Sequence, residues 1–326
     1  MAFKSRQPTG KPPWPIILVA GIQKTGKSFS AAEASASQHI DRTLWIGVGE
    51  DDPDEYRNIP GARFEIGVHN GTYQEILQSV TDAVNEPSNP ARPNMIVLDS
   101  GSMLWQLIVD NVQLIADRRE KNKGQITMDL WNKAASHWKA VMSQLNRHNG
   151  PVIITARMNE VTVMKRGQPT TEKTWKHEGH KSLPFDVGVI VEFEAPRAAR
   201  ITGARSLRHD VPLGEHKPFP NFTLAALWEA FGYVEPGNTA PRQHSATQPV
   251  EELEPTPAPE TAPAPSEAPT TGPGDALGAE IAQCKSRAEL KALYDEYEAA
   301  GAGPDQLNRI KAAAGVGTPT PPQDNG

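Results

Sequence analysis

The chain has 326 residues and a single cysteine, Cys284. That excludes an internal disulfide framework and any cysteine-rich zinc site, so packing must hold the fold. Long apolar runs are missing as well. None approaches the roughly 18 to 20 residues that a membrane span requires, and the opening Met-Ala-Phe-Lys-Ser-Arg-Gln-Pro lacks the apolar stretch of a signal peptide. A soluble, intracellular protein without a membrane partner is expected. Apolar residues make up only 37% of the chain, near the low side for a globular protein, which suggests a folded core carrying something unfolded.

Charge is unevenly placed. Residues 243–326 hold 13 acidic and 5 basic side chains, leaving 26 acidic and 28 basic in the first 242 residues. A mildly basic body with an acidic tail is common among nucleic-acid-binding proteins, and it also serves solubility.

Composition divides the chain further. Residues 1–13 form an N-terminal segment expected to be flexible, and 14–235 carry the alternation of apolar runs and amphipathic stretches described below. From 236 to 274, Pro, Ala, Thr and Glu dominate, which is the composition of an extended, disordered linker. Residues 275–315 then return to helical periodicity: Ser286 and Glu289 make a capping-box pair, and Leu290, Leu293, Tyr294 and Tyr297 share one face. A second short helix carrying Leu307 and Ile310 completes a small hairpin, too small to bury much core alone and better suited to docking. Residues 316–326 are read as a disordered tail.

Within 14–235, short apolar runs at 16–20, 44–48, 95–98, 152–155 and 187–193 alternate with helical patterns at 28–39, from the Thr72 cap, 102–119 and 127–148. That alternation is the mark of an α/β fold with a mostly parallel sheet flanked by helices. Trp131 and Trp138 are read as packing residues on the long helix, and a last helix is capped by Thr223 and stopped at Gly232.

One motif stands out. Gly21-Ile22-Gln23-Lys24-Thr25-Gly26-Lys27-Ser28 fits the pattern GxxxxGK[ST], placed after an apolar strand and before a helix. Glycines let such a loop curl so that its N–H groups point at phosphate oxygens, and the next helix adds its positive end. Lys27 is expected to reach the β- and γ-phosphates of ATP, and Ser28 to ligate Mg²⁺. Met-Ile-Val-Leu-Asp99 ends a buried strand in the acid a triphosphatase needs on its metal side. Leu-Trp-Ile-Gly-Val-Gly-Glu50 ends another, and Glu50 is the candidate to orient or deprotonate water. Asp52, Asp54 and Glu55 read as a solvated acidic loop.

This order of loop, strand ending in Glu50, strand ending in Asp99 and strand ending near Thr155 resembles the RecA-like P-loop ATPase core over residues 14–235. Within it the chain is most similar to compact phage nucleotide-binding proteins associated with single-strand annealing. The resemblance implies that Glu50 polarises the attacking water, that Thr155 senses the γ-phosphate, and that DNA-binding loops follow Asp99 and Thr155. Segment 117–124, with Arg118 and Arg119, fits the first loop. The second runs through Lys165, Arg166, Lys173, Trp175, Lys176, His177, His180 and Lys181, mixing cations for backbone phosphates with a ring on which a base can stack. A solvated loop with Trp175 packed on the body is its alternative.

The resemblance also implies a homo-oligomer in which a basic finger reaches the neighbour's γ-phosphate. Arg205 and Arg208 occupy that region without the family's Lys-x-Arg spacing, and Arg157 is a further candidate. Only a short segment precedes the first strand, where full recombinases carry an element that links subunits into filaments. The expected activity is a DNA-stimulated ATPase on single-stranded DNA, in the cytoplasm of a phage-infected bacterium, with a replication or recombination protein docking on the C-terminal hairpin. A helicase or helicase loader, a non-catalytic nucleotide switch and a P-loop phosphotransferase are the alternatives.

Overall fold

The computed structural model describes residues 3, 5–165, 167–212, 214–243, 276–284, 286–299 and 303–315. The chain divides into two compact units, Met1–Pro249 and Val250–Gly326. In the first, elements run β1 (Ile16–Gly21), α1 (Lys27–Ala34), β2 (Thr43–Gly47), a 3₁₀ turn (Pro53–Asn58), β3 (Glu65–Ile66), α2 (Tyr73–Asn85), β4 (Met95–Asp99), α3 (Gly101–Asp117) and α4 (Met128–Leu145). They continue with β5 (Val152–Lys165), β6 (Gln168–His177), α5 (Leu183–Asp186), β7 (Val189–Ala195), β8 (Ala198–Ala204), β9 (Lys217–Phe219) and α6 (Leu224–Ala230).

The sheet has the order β3-β2-β4-β5-β1-β7-β8-β9, with β6 paired to β5 off that path. From β3 to β7 every neighbouring pair is parallel; β8 and β9 add an antiparallel edge. Parallel strands need crossovers that cover both faces, so their sequences are apolar throughout rather than alternating. The period of two still decides which core each residue enters. Ile16, Leu18 and Ala20 of β1 join residues of α2, α3 and α4, whereas Ile17 and Val19 join those of α1 and α6.

Local chemistry sets the helix ends. Thr72 accepts from Glu75 N, Ser100 from Met103 N and Thr223 from Ala226 N, each a side-chain cap at a helix start. Trp138 is buried and donates its indole N–H to Asp186, 3.2 Å away. Trp131, expected to pack, instead lies 42% exposed: it sits three residues from Ala134 and seven from Trp138, yet falls just outside the stripe that α4 buries.

Two boundaries differ from expectation. The body continues past 235: Arg242 N donates to Asn149 Oδ1, and the Arg242 guanidinium donates to the carbonyls of Leu145 and Trp14. Residues 244–275, most of the expected linker, and the tail from 316 lie outside the described residues. Among its described residues the second unit contains three helices rather than two, α7 (Ala276–Gln283), α8 (Arg287–Ala299) and α9 (Pro304–Gly315). Glu289 N donates to Ser286 Oγ as the capping box requires, and Tyr297 bonds Glu280 across α8 and α7. No helix among the described residues is long and apolar enough to cross a membrane.

Between α4 and β5 lies His148, buried with Nε2 2.8 Å from Asn94 O. Burial drives its pKa down from 6.5 to about 4, outweighing the hydrogen bond to the Asn94 carbonyl, and the Arg242 guanidinium adds to the fall. The unfolded chain therefore takes up this proton across the window from 6.5 to about 4 while the folded chain resists it. Stability is full above the window and falls as pH drops through it, by roughly 3 kcal/mol for this group. Burial lowers His137, His177 and His180 as well. Thermal unfolding followed from neutral to mildly acidic pH should show this loss of Tm, and His148→Gln should shrink it.

Candidate functional site

The site lies outside the carboxyl ends of β1, β2, β4 and β5, where parallel α/β sheets gather their loops. At its floor the 21–28 loop turns tightly. A Cβ on Gly21 would stand 2.6 Å from Thr25 Oγ1 and 3.0 Å from Phe193 Cβ, and Gly26 holds φ +99°, so both positions need glycine. Thr25 Oγ1 donates to Ile22 O at 2.9 Å and braces the curl. α1 starts at Lys27 with no side chain capping it, which leaves its first N–H groups open to an anion. Lys27 Nζ lies across the loop, 3.0 Å from Ile22 O. Burial lowers its pKa, while Glu50 and Asp99 pull the other way.

Asp99 is buried at the end of β4 and is hydrogen-bonded by both Thr155 Oγ1 and the Ser28 hydroxyl. Burial raises its pKa, and the two hydroxyls counter the rise. A carboxylate and a hydroxyl side by side next to a phosphate-binding loop form the hard-oxygen donor set that suits Mg²⁺. Ser28 and Asp99 would hold such an ion, which would neutralise phosphate charge. Thr155 departs from expectation. It is fully buried with its hydroxyl committed to Asp99, so it orients the acid rather than reaching a phosphate. The strand does not end there either, but runs on to Lys165.

Glu50 follows β2 and faces the same cavity. Its Oε1 accepts from Ser100 Oγ at 2.9 Å and Arg157 Nε at 2.8 Å, and its Oε2 from the second Arg157 nitrogen at 2.9 Å. Burial pushes its pKa up, but these bonds outweigh burial and hold it below the usual carboxylate value. The Ser100 hydroxyl thus serves both Glu50 and the cap of α3. Neither Ser100 nor the bidentate role of Arg157 was visible beforehand, because each depends on a pairing between distant strands.

The cavity measures about 820 Å³, ample for a nucleotide. Besides the loop, Glu50 and Asp99, its wall includes Tyr56, Asp52, Glu55 and Trp175. The acidic turn read as solvated therefore borders the nucleotide cavity.

The second expected DNA loop is a β-hairpin: β5 and β6 pair antiparallel from Met158–His177 to Lys165–Gln168. Lys176 is exposed on β6 and Lys181 just beyond it. Lys173 is bound to Glu160 at 2.5 Å, and Arg166 and the Lys165 side chain lie outside the described residues. Trp175 is 48% exposed at the cavity wall. In the 117–124 turn Arg118 is exposed, but Arg119 is tied to Asp129 at 2.5 Å and to Thr127, closing the turn onto the start of α4. Arg208 pairs with Glu235 at 2.5 Å. Arg205 N donates to Gly188 O at the amino edge of the sheet, away from the loop.

A parallel α/β sheet with a glycine-bound phosphate loop, a buried acid on the next strand but one, and a lysine between them defines a P-loop nucleotide-binding ATPase. Residues 15–196 match the AAA domain family, and the chain belongs to it. No curated protein matches the chain. Among solved structures it is similar to a prototypical ATPase from the type III secretion system of pathogenic bacteria, at 10% identity and a TM-score of 0.32, covering 56% of this chain and 51% of that one. The chain thus spans about half the length of that structure.

Lys27→Ala removes the partly buried cation of the loop and leaves the exposed Lys24 in place. A charge-assisted hydrogen bond contributes about 1.5–3 kcal/mol, so ATP affinity, measured by titration with a fluorescent analogue, should fall about 10- to 100-fold.

Proposed function

We propose that this AAA-type ATPase is stimulated by single-stranded DNA and acts on it as a homo-oligomer in phage recombination or annealing, in the cytoplasm of the infected host. The observation that carries the reading is the β5–β6 hairpin. β5 carries Thr155 and Arg157 at the ATP site and then continues into an arm whose outer strand bears Lys173, Trp175 and Lys176, largely exposed. A DNA strand lying along that arm would touch an element built into the catalytic wall. The mildly basic body supports the same partner, and so does the RecA-like order of the core motifs.

In this reading Lys27 neutralises phosphate charge, Ser28 and Asp99 hold Mg²⁺, and Glu50 accepts the proton of the attacking water. Of the two finger candidates, Arg205 fits better than Arg208. Arg205 is exposed with no carboxylate partner among the described residues and lies away from its own ATP site, as a residue serving a neighbour must; Arg208 is bound to Glu235. The C-terminal helices dock a replication or recombination protein. Removing residues 250–326 should leave hydrolysis unchanged but abolish recovery of that partner, and undiminished recovery counts against the assignment.

The deciding measurement is ATP turnover with and without an oligothymidine strand over a salt series. Stimulation should fade steeply as salt rises, because each neutralised phosphate releases counterions. Glu50→Gln should lower turnover by about 10²- to 10⁴-fold while sparing ATP binding. If DNA neither binds nor alters turnover in any nucleotide state, the DNA reading fails.

A further inference from the structure

We infer that Arg157 is a positioning residue that holds Glu50 in a resting orientation and releases it when the β5–β6 hairpin is displaced. The inference rests on the assignment of Glu50 as the group that activates water.

The geometry at the hairpin root supports a mechanical link. Glu50 receives three hydrogen bonds, two from one guanidinium and one from Ser100. A carboxylate gripped in this way is a poor proton acceptor, because protonating it would sacrifice charge-assisted bonds. Turnover therefore requires that Arg157 let go. Arg157 stands in register with Gly21, the first residue of the phosphate loop, and immediately precedes Met158, the first residue of the hairpin pairing.

Its backbone is fastened to the other hairpin strand. Glu178 N donates to Arg157 O at 2.7 Å. Ser102 Oγ donates to Glu178 O at 2.6 Å, and Arg157 N donates to that same hydroxyl at 2.9 Å. Residues 157 and 178 thus form one bracket, clamped by the first turn of α3 just after Asp99. Trp175 reaches the cavity wall from the same arm. A twist of the arm turns the bracket, and the Arg157 side chain moves with it. Ligand on the arm and the base at the cavity are then coupled through a single residue.

Two other arginines help to define what is special here. Arg42 and Arg200 also pair with carboxylates, but with residues outside the nucleotide cavity. Arg157 alone, among the described ion pairs, grips an acid inside it.

The test is steady-state ATP hydrolysis by the full chain carrying Arg157→Ala or Arg157→Lys, with and without an oligothymidine strand, with thermal unfolding as a check on folding. Arg157→Ala should raise DNA-free turnover by about an order of magnitude, the size expected for loss of one charge-assisted contact. KM for ATP should stay near the wild-type value, and the ratio of stimulated to basal turnover should fall toward one. Arg157→Lys keeps the charge but not the bidentate grip, so it should lie between Ala and wild type. A fall in kcat with and without DNA would overturn the inference by placing Arg157 on the phosphate itself. Unchanged basal turnover and ratio would overturn it by making the pair a bystander. Should wild-type turnover ignore DNA, the DNA reading fails separately, and a rise in DNA-free turnover for Arg157→Ala still supports the grip on Glu50.

Discussion

The placement of β5 between β4 and β1 is the constraint from which the site follows. Ile96 to Leu98 pair with Val152 to Ile154, and Ile16 to Gly21 pair with Val152 to Arg157. That register puts Thr155 beside Asp99 and Arg157 beside the phosphate loop. Backbone hydrogen bonds of a parallel ladder tolerate no slip here, because a shift of one residue would send every apolar side chain of β5 to the opposite core. The packing of two hydrophobic cores therefore enforces the alignment of Asp99, Thr155 and Arg157 around the phosphate loop.

Electrostatics inside the cavity is balanced by pairs rather than by solvent. Lys27, Glu50, Asp99 and Arg157 perturb one another: the acids raise Lys27, Arg157 lowers Glu50, and Glu50 raises Asp99. Two cations and two carboxylates bring the cluster near neutrality before a ligand arrives. A triphosphate adds several negative charges, which favours contacts with Lys27 and a metal ion and disfavours the approach of Glu50 and Asp99 unless that ion is present.

The phosphate loop, Asp99 and Glu50 could be read from the sequence because each sits at the end of an uninterrupted apolar run, and a buried parallel strand writes itself as such a run. The caps at Thr72 and Thr223 were legible for the same kind of reason, being local. The hairpin was not. Beyond Met158 only Val161 and Val163 alternate with exposed Glu160 and Thr162, too short a pattern to stand out beside the polar strand that follows. Lys173 to Glu160 and Thr170 to Val163 O add cross-strand bonds to the backbone pairing, with Gly167 making the turn at φ +79°. The edge strands β8 and β9 escaped notice because Arg200 and Lys217 interrupt any apolar pattern there.

Basic residues show most clearly what a sequence withholds. Lys173, Arg119 and Arg208 look as free as Lys176, Arg118 and Arg205 when counted along the chain, yet the first three are bound to Glu160, Asp129 and Glu235. An exposed ion pair of this kind contributes little to stability. It still lowers the local positive field, and a polyanion must break it before using the cation. Effective cationic surface is therefore smaller than composition suggests, and it concentrates where carboxylates are absent. Among the described residues that leaves Lys176 exposed on the hairpin and Lys181 exposed just beyond it, with Arg157 at its root bound to Glu50. The arm thus carries an exposed cation at its surface and a carboxylate-bound arginine at its root.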